Sequence, residues 1–152
     1  MQPSDVEIVT RNSALEDSVD HIVHFVTSST PKPFSFIFVD PTGWTGFALE
    51  TIRPLLKLAP GEVLINFMTE HVRRFIESPD ERTQRSFVEL FGSADFRERL
   101  ARIPANERRD AVVFEYAQTV ANAGDGAEPN DQTPVHAESF PYSTAIYGGN
   151  QH

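Results

Sequence analysis

Residues 34–44 read FSFIFVDPTGW, and the placement of this stretch decides the fold. Phe34 to Val39 is a nearly unbroken apolar run of strand length, followed at once by an acid, a proline, a glycine and the chain's single tryptophan. A run without polar alternation reads as a strand buried on both faces, as in a parallel sheet layered by helices. Just upstream, STPKP at 29–33 stops any preceding helix, because proline drives the residue before it out of the helical region.

Outward from this strand the pattern repeats. VEIVT at 6–10 is a short β-branched run, and the RNS that follows supplies N-cap chemistry at Asn12 or Ser13. Leu15, Val19, Ile22, Val23 and Val26 then recur at helical spacing, with acids in the first turns where the helix dipole favours them. After DPTGWTG, the positions Phe47, Ile52, Leu55, Leu56 and Leu58 predict a second helix, kinked or restarted at Pro54. APGE closes it, and VLINF at 63–67 predicts another buried strand. Strand, helix, strand, helix, strand calls for right-handed crossovers and an open parallel sheet flanked by helices.

From Met68 to about Ala123 the chain reads as helical: TEHVRRFI, ERTQRSFVELF with Gly92 as C-cap, ADFRERLARI with Ser93 as N-cap, and NERRDAVVFEYAQTVANA ending at Gly124. The expected organisation is therefore an α/β domain over 1–123, its sheet part at about 6–67 and its helical part at about 68–123. Residues 124–152 read as a weakly structured tail, linker-like in composition to about Glu138, with one short strand at 143–147.

Composition bounds the function. With 13 basic against 22 acidic residues the formal charge is −9, which works against nonspecific binding to phosphate backbones and anionic membranes. There is no cysteine, which removes disulfides and thiolate metal sites and suits a cytoplasmic setting. No window approaches the ~20 apolar residues of a membrane span, and the first residues lack a signal-peptide pattern.

In an open parallel sheet, ligands sit beyond the carboxyl ends of the strands. That rule selects three sets: Thr10, Arg11 and Asn12; Asp40 to Trp44; and Asn66 to Glu70. Asp40 leaves a buried strand as a carboxylate able to accept hydrogen bonds from an amine or hydroxyl, Pro41 fixes the turn, and Trp44 offers a stacking face. The alternative account is structural: Asp40 caps the next helix, Pro41 and Gly43 make the turn, and Trp44 packs beneath it. Asn66, Glu70 and His71 bring an amide, a carboxylate and an imidazole to the same crevice, unless Glu70 and His71 lie on a solvated helix face. Arg73 and Arg74 suit an anion, although the mixed signs of RRFIESPDERTQR also fit an ion-paired surface. His21 and His24 stand three apart on a helix, but no acid or thiolate completes a metal site.

Taken in order, FIFVDPTGW (36–44), LAPGEVLINFMTEHVRRF (58–75) and FVELFGS (87–93) resemble the three-Cys-motif partner protein family. Members of that family look like class I S-adenosylmethionine-dependent methyltransferases, so the resemblance implies a partial Rossmann-like sheet with an α-helical C-terminal elaboration. It aligns VEIVT, FSFIFVD and EVLINF with the third, fourth and fifth strands of the methyltransferase sheet. DPTG then stands where amino-methyltransferases carry a D/N-P-P-aromatic motif that holds the target amine. The transfer reaches Asp40 and Pro41 directly and Trp44 loosely, with Thr42 in place of the second proline.

No Gly-rich cofactor turn precedes VEIVT. The resemblance thus implies a truncated protein carrying the acceptor side of a site, with Asn12 as the one weak candidate toward the cofactor and no S-adenosylmethionine binding by this chain alone. Three further expectations follow. A noncatalytic module would dock a three-Cys-motif protein; an incomplete sheet would leave an apolar edge at VEIVT that favours self-association; and the arginines between Arg73 and Arg109 would carry any nucleic-acid contact.

Overall fold

The computed structural model describes residues 8–124, 136–139 and 144–150. Six helices and four strands form a mixed α/β structure in the order α1 (Val19–Ser28), β1 (Ser35–Val39), α2 (Leu49–Leu56), β2 (Gly61–Phe67), α3 (Thr69–Phe75), α4 (Glu81–Phe91), α5 (Phe96–Ala101), α6 (Arg108–Gly124), β3 (His136–Ser139) and β4 (Thr144–Asn150). The sheet order is β1-β2-β4-β3. β1 and β2 run parallel, joined through α2, with Ser35 opposite Gly61 and Val39 opposite Ile65. β4 is antiparallel to both β2 and β3, so β3 runs in the direction of β1 and β2.

Burial alternates along the strands. In β2, residues 61, 63, 65 and 67 are buried, while Glu62 is exposed and Leu64 and Asn66 are half-buried. The buried set meets Ile52 and Leu56 of α2, Tyr116 and Val120 of α6, and Ile146 of β4 in one continuous core. Phe67 and Tyr116 stack at 4.3 Å between ring centroids, and Phe91 and Phe96 at 4.5 Å. α1 packs on α2 through a smaller cluster of Val19, Leu55 and Leu58, which Ile37 of β1 also touches. All of this lies on one side of the sheet.

β1 corrects one expectation. Its Ser35 and Val39 are buried and Ile37 is half-buried, but Phe34, Phe36 and Phe38 are 58%, 60% and 55% exposed. The run is apolar apart from Ser35, yet the described helices cover only one of its faces, so β1 is an edge strand with a bare aromatic face rather than a strand buried on both faces.

The expected strand at 6–10 is corrected as far as it is described. Residues 8–10 form no strand, and Ile8 and Val9 are exposed; residues 6 and 7 lie outside the described residues. Among the described residues, the sheet edge on this side therefore belongs to β1. α1 begins at Val19, later than a cap at Asn12 or Ser13 would place it, after a turn in which the Ser18 hydroxyl donates to Ala14 O at 3.0 Å and meets Ser13 Oγ at 2.7 Å.

The reading of 124–152 as weakly structured is also corrected for the described part, since residues 136–139 and 144–150 complete the sheet; 125–135, 140–143 and 151–152 lie outside the described residues. The strand expected at 143–147 is β4, reaching on to Asn150. α4 ends as expected on Gly92 in the left-handed region (φ 66°), a conformation glycine adopts without a Cβ clash. Ser93 does not cap α5 as a residue at its boundary: its hydroxyl accepts from Asp95 N–H at 3.1 Å, ahead of a helix that starts at Phe96.

Candidate functional site

Because β1 and β2 are parallel neighbours, their carboxyl ends open at the same end of the sheet. The register sets Val39 beside Ile65, so the next residues, Asp40 and Asn66, emerge side by side on the bare face. Asn66 Nδ2 donates to Asp40 Oδ1 at 2.7 Å. The strand-end rule thus brings together two of the residues it selected, and the amide holds the carboxylate in one orientation. Asp40 is solvent-exposed and Asn66 half-buried, so the carboxylate remains accessible.

The turn behind Asp40 carries the chain back to the helical layer. Pro41 is half-buried, and Gly46 takes a positive φ of 84°, which an L side chain adopts only at a cost. The turn before α1 approaches here, with Glu16 Oε1 3.9 Å from the position of a Cβ on Gly46.

Of the two accounts of Trp44, the structure matches the one in which it packs beneath the turn. Its ring stacks on Phe87 (5.3 Å between centroids, 20° between planes), lies 4.9 Å from Phe75 and meets His71 edge-on at 6.3 Å. The indole N–H donates to Ser86 Oγ at 2.9 Å, and that hydroxyl donates to Thr83 O at 2.8 Å. Trp44 anchors the turn that follows Asp40, with Phe87 stacked against its ring.

The remaining candidates separate. Glu70 accepts from Arg73 one turn along α3, at 2.9 Å, which engages the carboxylate within its own helix. Arg74 stands exposed on α3, and Asn12 stands exposed ahead of α1. Among the arginines farther along, Arg99 clamps Glu115 with its closest contact at 2.6 Å, and Arg108 bonds Glu77 and the Ile103 carbonyl. His21 and His24 are exposed, and no group of three metal-ligating side chains forms among the described residues.

Sequence reasoning missed Ser86 and Phe87 as partners of the turn. They lie on α4, more than forty residues away, and no local spacing links them to Trp44. Two cavities lie away from Asp40: one of about 420 Å³ along α1 beside Val9, Arg11, His21 and Phe25, and one of about 290 Å³ between Ile76, Arg97, Leu100 and Arg108.

Comparison with protein-family models, with curated proteins and with solved structures found no match to this chain. Among the described residues no helix is long and apolar enough to cross a membrane.

Proposed function

We propose that the chain carries the acceptor side of a methyltransferase-like site, in a protein related to the three-Cys-motif partner proteins. The observation that carries this reading is the 2.7 Å hydrogen bond from Asn66 to Asp40 across the carboxyl ends of two adjacent parallel strands. Asp40, held by Asn66, accepts a hydrogen bond from an amine or hydroxyl of the acceptor, while Pro41 and the anchored Trp44 keep the turn in place. The closing antiparallel strand that a methyltransferase sheet implies also has a counterpart, in β4 beside β2.

The reading is confined to the acceptor, since the resemblance assigns none of the residues at this end of the sheet firmly to S-adenosylmethionine. Its test is a titration of isotope-labelled chain with a small primary amine, followed by NMR. Saturable shifts of Asp40 and of the Asn66 side-chain amide, abolished in Asp40→Ala, are expected, with S-adenosylmethionine alone moving neither. An amine that produces no saturable shift at millimolar concentration overturns the reading.

The exposed phenylalanines of β1 favour a second reading, a noncatalytic interaction module. Purified three-Cys-motif protein would then bind the wild-type chain and not Phe36→Asp; equal binding to both counts against it.

A further inference from the structure

Three independent properties of β1 converge on one partner. The first is its backbone. β1 lies at the end of the sheet, and the Ser35 N–H donates toward β2, to Pro60 O at 3.0 Å. Backbone groups alternate in direction along a strand, so those of Ser35, Ile37 and Val39 face β2 and those of Phe34, Phe36 and Phe38 face the open edge. Pro33 has no N–H, but its position falls on the β2 side and leaves the outer row of donors uninterrupted.

The second is the side chains. The same three phenylalanines, each more than half exposed, project from the face that no described helix covers. None of the usual devices that blunt an edge, a charge, a proline or a bulge, interrupts residues 34–39.

The third is sequence symmetry. KPFSFIFVD at 32–40 is self-complementary about Phe36. An antiparallel pairing of two copies across a twofold axis there sets Phe36 opposite itself, Phe34 opposite Phe38 and Lys32 opposite Asp40, all on one face. Moving the axis to Ile37 places Phe34 against the Asp40 carboxylate and Lys32 against Thr42, and moving it to Ser35 places Lys32 against Phe38. Only the centring on Phe36 gives three aromatic cross-strand pairs and two opposite-charge pairs.

We propose that two copies of this chain associate edge to edge through β1, antiparallel and centred on Phe36, forming one continuous sheet. A twofold contact must be self-complementary, and this edge is so in hydrogen bonding, shape and charge. The negative charge of the chain opposes association elsewhere, whereas along this edge each Asp40 meets an ammonium. The contact places the partner's Lys32 beside the Asp40–Asn66 pair, so each copy contributes a cation to the other's strand-end site. It does not depend on methyl transfer.

The test uses the full chain in sedimentation velocity over a concentration series. A monomer–dimer equilibrium is expected, and Phe36→Asp should be monomeric with an unchanged circular dichroism spectrum. Lys32→Asp or Asp40→Lys alone should weaken dimerisation roughly tenfold, since each removes both ion pairs, and the double variant should restore it.

Cysteine scanning supplies a second reading of register, because the chain has none of its own. On oxidation, Phe36→Cys should cross-link to itself and Phe34→Cys should not, whereas a mixture of Phe34→Cys and Phe38→Cys should. A chain that stays monomeric at every concentration, or cross-linking equal at positions 34 and 36, overturns the proposal.

Discussion

Tyr116 sits at 0% exposure, its ring stacked on Phe67 and edge-on to Phe47 and Phe91, and its buried hydroxyl has no hydrogen-bond partner among the described residues. A buried polar group left unpaired costs ~1–3 kcal/mol, so Tyr116→Phe should raise stability by about 1 kcal/mol, read as a higher midpoint in thermal or urea unfolding. The same burial pushes the phenol above its ordinary pKa of 10.0. Folding therefore favours the protonated form. Its contribution is fully present below pH 10 and is lost as pH rises beyond it, with a limiting slope of ~1.4 kcal/mol per pH unit. Urea titrations at rising alkaline pH should show this fall in the wild type and a shallower one in Tyr116→Phe. At this scale Asp40 and Asn66 were legible as neighbours, because strand-end positions follow from the order of the elements. The packing of Trp44 was legible as one of two accounts, but its partners Phe87 and Ser86 were not, because they come from a helix that only tertiary packing brings near.

Among the elements, α4 is the one whose ends were most readable. Asp80 Oδ2 accepts from the Thr83 N–H at 2.8 Å, and Gly92 turns the chain left-handed at the other end. That backbone hydrogen bond holds the Asp80 carboxyl below its ordinary 3.8, so the cap stabilises above that pH and is lost as acid protonates it. Asp80→Ala should lower the thermal midpoint at neutral pH and leave it unchanged once Asp80 is protonated in both states. Gly61 is constrained differently: a Cβ there would lie 2.9 Å from Ser35 O and 3.1 Å from Leu58 O, both rigid backbone atoms at the start of the β1–β2 ladder. Gly61→Ala should cost ~2 kcal/mol or more, because neither neighbour can yield without breaking the pairing. The strands were harder to read than the helices. Helical periodicity records which face is buried, whereas an unalternated run such as 34–39 does not say whether one covering layer exists or two.

For the whole molecule, the decisive fact is that every helix with a defined packing partner lies on one side of a four-stranded sheet, whose third position is filled by the last strand in the chain. β4 buries Ile146 against the core and pairs with β2 along all seven residues of that strand. Deleting residues 125–152 should therefore expose the β2 edge and part of the core, giving a non-cooperative melt and concentration-dependent light scattering. Part of this closure was legible, since a short strand was expected at 143–147, but neither β3 nor the pairing of β4 with β2 follows from so short and polar a stretch. The same arrangement bears on biosynthesis. At ~5–20 residues per second, α3 to α6 take seconds to emerge after β2, and throughout that interval β2 has only one hydrogen-bonded neighbour. The nascent protein therefore leaves the ribosome with a vacant slot at the centre of its future sheet, and its own final strand must reach that slot before another chain does.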